Sequence, residues 1–122
     1  MALFINGNSA VHRNSGALVR TEDPCYVKNS VVCFTNIAKS EDATNTAQTV
    51  FHNGNALCHQ ASYFAKSTGD EAGDNGVRSG TIAGKAIFIT GSADVFIEGN
   101  PAVKLGDQMI SNTGNTAEGV LL

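Results

Sequence analysis

Residues 3–13 read LFINGNSAVHR, residues 50–60 read VFHNGNALCHQ and residues 95–105 read VFIEGNPAVKL. These three stretches are one unit written three times. Phe4, Phe51 and Phe96 coincide, as do the Gly-Asn pairs at 7–8, 54–55 and 99–100. An aliphatic residue precedes each Phe (Leu3, Val50, Val95), and a small residue or Pro opens each return segment (Ser9, Ala56, Pro101). A unit that recurs at this interval marks a repeat architecture, in which each copy buries its apolar face against the others.

Each copy carries its own local structure. Asn6-Gly7 and Asn53-Gly54 are two-residue hairpin signals, because a type I′ turn needs positive φ at both central positions and Asn and Gly tolerate it. Glu98-Gly99 keeps the glycine and places Glu in the left-handed region at some cost. Gly7, Gly54 and Gly99 are therefore the structural turn residues. Folding the first copy about its turn pairs Ile5 with Asn8, Phe4 with Ser9 and Leu3 with Ala10. Alternation then puts Phe4, Ser9 and Val11 on one face and Leu3, Ile5 and Ala10 on the other. A lone hairpin is marginal in water, so the three must pack together. The simplest packing is around a pseudo-threefold axis, with Phe4, Phe51 and Phe96 as the expected core.

Working outward, the intervals are rich in Gly, Ser, Thr, Asn and Asp, and residues 67–76 (STGDEAGDNG) and 111–119 (SNTGNTAEG) read as loops. Further apolar strands are expected at residues 31–34 and 86–89. Thr21-Glu22-Asp23-Pro24 reads as a turn. Residues 37–49 have room for one short helix, with Ser40 as its N-cap before Glu41-Asp42-Ala43. Helical periodicity lasts nowhere beyond about three turns. The expected fold is all-β: three hairpin repeats in a compact cone, with at most one short helix.

The bulk composition narrows the function. The 122 residues suit a single domain, residues 1–122, large enough to bury a core. Hydrophobic residues make up 42%, and 11 acidic against 8 basic residues leave a net charge of −3. No basic cluster is present to neutralise a run of phosphates, so no nucleic-acid partner is expected. The N-terminus lacks a charged n-region and a sustained apolar run, so it does not read as a secretory signal. Folding in the cytoplasm is expected, with any later export by a specialised route. Cys25, Cys33 and Cys58 are an odd set without that signal and read as reduced thiols, Cys58 as a small core residue.

Several motifs are shared with a known family. Residues 95–107 carry a strand, a Gly turn, Pro101-Ala102 and a following Gly106-Asp107, and this resembles the signature of PAAR proteins. The chain as a whole is similar to the PAAR-like branch found beside type VI secretion and related contractile injection systems. The matching stretches are Ile5 to His12, Asp23-Pro24-Cys25, residues 36–40 (NIAKS) and residues 66–73 (KSTGDEAG). The resemblance implies a structural tip capping the blunt end of a homotrimeric VgrG-type β-helical spike, one copy per trimer, and sharpening it for membrane puncture. Because the chain ends soon after the third repeat, a version without an appended toxin domain is expected. Assembly at the spike apex and delivery outside the cell or into a target cell follow. An adaptor that docks a separate toxic effector onto the spike shares the same fold, and a small cell-wall hydrolase is the remaining alternative.

The resemblance also implies a metal near the apex, held by three His and one Cys. His12 and Cys25 match the first His and the Cys. Where a His pair is expected the chain has Ser111-Asn112-Thr113, so two ligands are absent at Ser111 and Thr113. Zn²⁺ in a structural site takes four N or S ligands, so no cofactor is the expectation and zinc the one candidate. Local, hydrogen-bonded roles for His12 and His59 and a core position for Cys25 are the plainer reading. Catalysis is not expected and no small-molecule substrate is implied: Asp70, Glu71 and Asp74 lie in a Gly-rich loop without a nearby His or Lys, which reads as a solvated turn.

Overall fold

The computed structural model describes residues 3–122, and the hairpins form where the turns require them. β1 (Phe4–Ile5) and β2 (Asn8–Ser9) are the first, β6 (Phe51–His52) and β7 (Asn55–Ala56) the second, β11 (Phe96–Ile97) and β12 (Asn100–Pro101) the third. All share one register, Phe4 opposite Ser9, Phe51 opposite Ala56 and Phe96 opposite Pro101. The central turn residues all have positive φ: 50° and 86° at Asn6-Gly7, 50° and 79° at Asn53-Gly54, 51° and 83° at Glu98-Gly99. A further bond closes each ladder, from the Ala10, Leu57 and Ala102 amides to the Leu3, Val50 and Val95 carbonyls (2.8, 3.1 and 2.9 Å).

The three copies pair in a closed cycle. His12 bridges Leu57, His59 bridges Ala102, and Lys104 bridges Ala10. In repeat positions, the tenth residue of each copy meets the eighth of the next, and the third copy returns to the first. This cyclic permutation is the pseudo-threefold relation in hydrogen-bonded form. It extends beyond the repeat visible in sequence. After each hairpin, the His12, His59 and Lys104 amides donate to Ser15 Oγ, Ser62 Oγ and Asp107 Oδ2, three residues on (3.3, 3.0 and 2.8 Å). The equivalent residues Ala17, Phe64 and Met109 then all enter one core cluster, as do Val11, Cys58 and Val103.

The rings expected at the core are outside it. Phe4, Phe51 and Phe96 are 62%, 55% and 57% exposed. The opposite hairpin face is buried instead, through Ile5, Ala10, Leu57, Ile97 and Ala102, joined by Ala47 and packed against by Val50. The two faces are both apolar, so alternation alone cannot choose between them. Close approach of three hairpins leaves room for Ala and aliphatic side chains and none for three aromatic rings, and this decides the choice.

The intervals hold the other two sheets. β3 (Leu18–Val27) and β4 (Ser30–Lys39) form a ten-residue antiparallel hairpin, with β9 (Asn75–Gly76) on the far side of β3. The Lys28-Asn29 turn between them again has positive φ at both residues, 49° and 71°. The Thr21 to Pro24 segment is therefore mid-strand rather than a turn, with Pro24 opposite Cys33. The Pro24 carbonyl accepts the Val77 amide (3.0 Å) on the side away from β4. The nitrogen of a strand residue points the same way as its carbonyl, so the missing N–H costs the β3–β4 ladder nothing.

A five-stranded sheet in the order β14 (Gly119–Val120), β13 (Gln108–Ile110), β10 (Ala86–Phe88), β8 (Tyr63–Phe64), β5 (Ala43–Thr44) covers the main core. There Phe64 and Phe88 meet edge to face, centroids 5.5 Å apart. Among the described residues, helix is confined to one 3₁₀ turn, Ser40–Asp42. Ser40 is its first residue rather than its cap, and Ser40 Oγ accepts the Ala17 amide instead (3.0 Å). Apart from β9 and the start of β14, residues 67–76 and 111–119 are loops.

Candidate functional site

Two features stand out: the hairpin face and a buried polar centre. On the first, three equivalent Phe rings project outward around the pseudo-threefold axis, flanked by exposed Leu3 and Val95. The hairpins are locked to one another by their turn residues, again in cyclic order. Asn6 of the first turn donates to Asp94 before the third hairpin (2.9 Å) and accepts from Ser92 Oγ (2.7 Å). Glu98 of the third turn accepts the Gln48 and Thr49 amides and Thr49 Oγ1 before the second (2.9, 2.7 and 2.6 Å). Those bonds hold the Glu98 carboxyl below its usual range, chiefly through Thr49. This explains why a residue unsuited to positive φ occupies the turn: it closes three donors of its neighbour. The corresponding approach to the first hairpin falls partly on residues 1 and 2, outside the described residues.

The histidines stay near the hairpins. His12 Nδ1 accepts the Asn14 amide and His59 Nδ1 the Ala61 amide, both at 3.2 Å, as their equivalence requires. The His12 ring lies 6.2 Å from that of His52, not beside His59. Burial lowers the pKa of both His12 and His59; the His52 charge adds to the effect at His12, and Glu98 opposes it at His59. Lys104, the third equivalent, pairs with Asp107 at 3.0 Å.

Cys25 belongs to a different environment. Along β3 the side chains alternate, so Val19, Thr21, Asp23 and Cys25 all turn inward and are buried. The 67–76 loop passes over this face. Ile37 and Thr68 exchange both backbone bonds (2.7 and 2.8 Å), and Ser67 Oγ accepts from Asn36 and donates to the Gly84 carbonyl (2.8 and 2.6 Å). Gly73 is needed there: a Cβ on it would stand 2.9 Å from Cys25 Cβ. The loop thereby sets Asp70, fully buried, against Asp23 and Cys25, with the three ligand atoms all within 4.8 Å of one another.

Asp70 is thus not part of a solvated turn, although Glu71 and Asp74 are exposed. Its carboxyl accepts the Ala83 amide (3.1 Å). Burial first, then the hydrogen bond and charge of Asp23, push it up to about 7. Burial, and next Asp23, push the Cys25 thiol up to about 12. Asp23 Oδ1 accepts from the Asn112 and Asn115 amides (3.3 and 2.5 Å), while Asp23 Oδ2 has no partner. Asn115 also donates to the Pro24 carbonyl (2.8 Å) and accepts the Arg78 and Ser79 amides (2.6 and 3.0 Å).

The metal set implied by the resemblance does not fit these residues. Among the described residues, no cluster of three or more His, Cys, Asp or Glu ligand atoms contains His12. Ser111-Asn112-Thr113 does come beside the Cys25 environment, but it brings an amide to Asp23 rather than imidazoles. Asp23, Asp70, Asn112 and Asn115 escaped the sequence reading. Only the Asp23-x-Cys25 spacing, which sets both on one strand face, was a signal for any of them.

The profile of the Toxin PAAR-like domain matches residues 21–118, which spans the β3–β4 hairpin, the polar centre and the second and third repeats. The chain belongs to the Toxin PAAR-like domain family. The first hairpin precedes the matched span and is joined to this PAAR-like body by the cyclic bridges at Ala10 and His12. No curated protein and no solved structure matches the chain. Membership in a PAAR-like family implies a spike-tip or effector-associated role in type VI secretion, and that family is structural and not typically enzymatic.

Proposed function

We propose that this PAAR-like chain caps a trimeric VgrG-type spike, one copy per trimer, and that the three-Phe hairpin face is the surface that meets it. The supporting observation is the closed cycle His12–Leu57, His59–Ala102, Lys104–Ala10, which gives a single chain three equivalent thirds. Each third offers one exposed ring, so three identical spike chains can make like contacts with one capping chain. Buried aromatic anchors at the centre of an interface dominate its energy. The chain folds in the cytoplasm, joins the spike there and travels outward with it, where a rigid tip concentrates the contraction force on a small membrane area.

The test is co-purification with a co-expressed VgrG-type spike protein, read by native mass. A one-to-three complex is expected for the wild type. The triple change of Phe4, Phe51 and Phe96 to Ser should remove it while leaving the melting temperature of the free chain nearly unchanged. A complex that survives the triple change, or that has another stoichiometry, rejects the reading.

A second reading, an adaptor for a separate effector, has its own observation. β4 is the edge of its sheet, and its first half carries exposed Val31 and Val32 with no charged residue from Ser30 to Thr35. Such an edge accepts an added strand. An effector that co-purifies with the chain and is lost on changing Val31 to Lys would favour it.

A further inference from the structure

We propose that Asp23, Cys25 and Asp70 form a divalent-cation site, of borderline zinc-like preference, that pins the 67–76 loop to the β3–β4 hairpin. This set of two carboxylates and a thiol differs from the three-His, one-Cys set implied by the resemblance, and it does not depend on the docking reading above. All three side chains are 0% exposed. Two carboxyls buried side by side need a shared proton or a cation between them, because two uncompensated ions in the interior cost far more than any single contact returns. Among the described residues the one ion pair, Lys104–Asp107, reaches neither of them.

A second observation points to a ligand. Asp23 Oδ2 is buried with no hydrogen-bond partner, although Asp23 Oδ1 takes two amide donors. The donors around the carboxyls come from elsewhere and hold them in place: Asn112 and Asn115 on Asp23, and the Ala83 amide on Asp70. They leave the inward oxygens and the sulfur facing one another within 4.8 Å. Metal–oxygen distances of about 2.0–2.2 Å and metal–sulfur of about 2.3 Å place tetrahedral ligands roughly 3.5 Å apart, which side-chain adjustment can reach. Thiolate with carboxylate suits Zn²⁺ or Co²⁺ better than Mg²⁺ or Ca²⁺. On binding, the Cys25 thiol gives its proton to solvent and the sulfur lone pair to the ion.

The experiment uses the full, tag-free chain. Metal content is measured as purified, and chelator-treated protein is then titrated with Zn²⁺ and with Co²⁺. One equivalent of bound ion, a melting temperature several degrees higher with Zn²⁺, and a near-ultraviolet thiolate-to-cobalt band are expected. Asp70→Asn and Cys25→Ser should lose the ion, and Cys25→Ser the band; Cys33→Ser and His12→Ala should keep both. Absence of bound ion in well-folded wild type, with no melting shift on adding Zn²⁺, overturns the proposal and leaves a carboxyl pair sharing one proton. A cobalt band that disappears in Cys33→Ser or His12→Ala overturns it too. Should the site variants fail to fold, the wild-type band and stoichiometry decide alone.

Discussion

The hairpin ring and the β3–β4 region solve the same problem with opposite materials. Around the pseudo-threefold axis, Ile5, Ala10, Leu57, Ile97 and Ala102 exclude water with small and aliphatic side chains, while polar atoms stay at the rim in the Glu98 and Asn6 locks. Over β3 the inward face runs from Val19 through Thr21 and Asp23 to Cys25, and its covering loops contribute Asp70, Asn112 and Asn115, all buried. Threefold repetition lets one short apolar unit serve three times. Past the equivalent residues Ala17, Phe64 and Met109 the intervals do not repeat, and the polar region over β3 depends on directional bonds, each of which must find its own partner.

That contrast can be broken most strongly at the shared core. Phe64→Ala removes a fully buried ring packed on Phe88, and should cost about 3–5 kcal/mol in denaturant unfolding. Its counterpart on the hairpins, Phe51→Ala, should cost less than about 1 kcal/mol because more than half of that residue is already in water. Equal losses at the two positions would contradict the division between inner and outer rings.

Next in size is the polar region. Asn115→Ala strands the Arg78 and Ser79 amides and removes a donor from Asp23, with an expected loss of about 1–3 kcal/mol. Amide exchange should quicken first at residues 76–81 and leave the hairpin ring protected. A uniform quickening would mean the two regions unfold as one.

Smaller again is Gly54→Val, which forces a β-branched residue to φ near 79° with open space around it. About 1–2 kcal/mol is expected, from conformation alone.

The smallest effect sharpens the comparison through pH. Folding depresses the Glu98 carboxyl, so its contribution is present above the unfolded value and is lost as pH falls through the folded one. Melting temperature measured from about pH 5 down to pH 3 should fall less steeply for Glu98→Gln than for the wild type. Identical slopes would remove the lock at the third turn.

The legibility of the chain follows the range of the forces involved. Asn6-Gly7 and Asn53-Gly54 announce their turns within two residues, and the register Phe4–Ser9 follows from them. Glu98 looked like a poor turn residue, because its reward is Thr49, some fifty residues away. Asp70 looked solvated because nothing near it in sequence reveals Asp23, and Pro24 looked like a turn because its neighbours do not show which side of the strand is paired.

By itself the sequence determined the repeat, the three hairpins, their register and the all-β class, since each depends on backbone preferences and spacing local to one unit, while the PAAR-like kinship rests on motifs shared with that family. Only the tertiary structure decided that the Phe face looks outward, that the copies close into a ring, and that Asp70 is buried against Asp23. Those outcomes depend on the volume available between distant segments and on partners that meet only when the chain has folded.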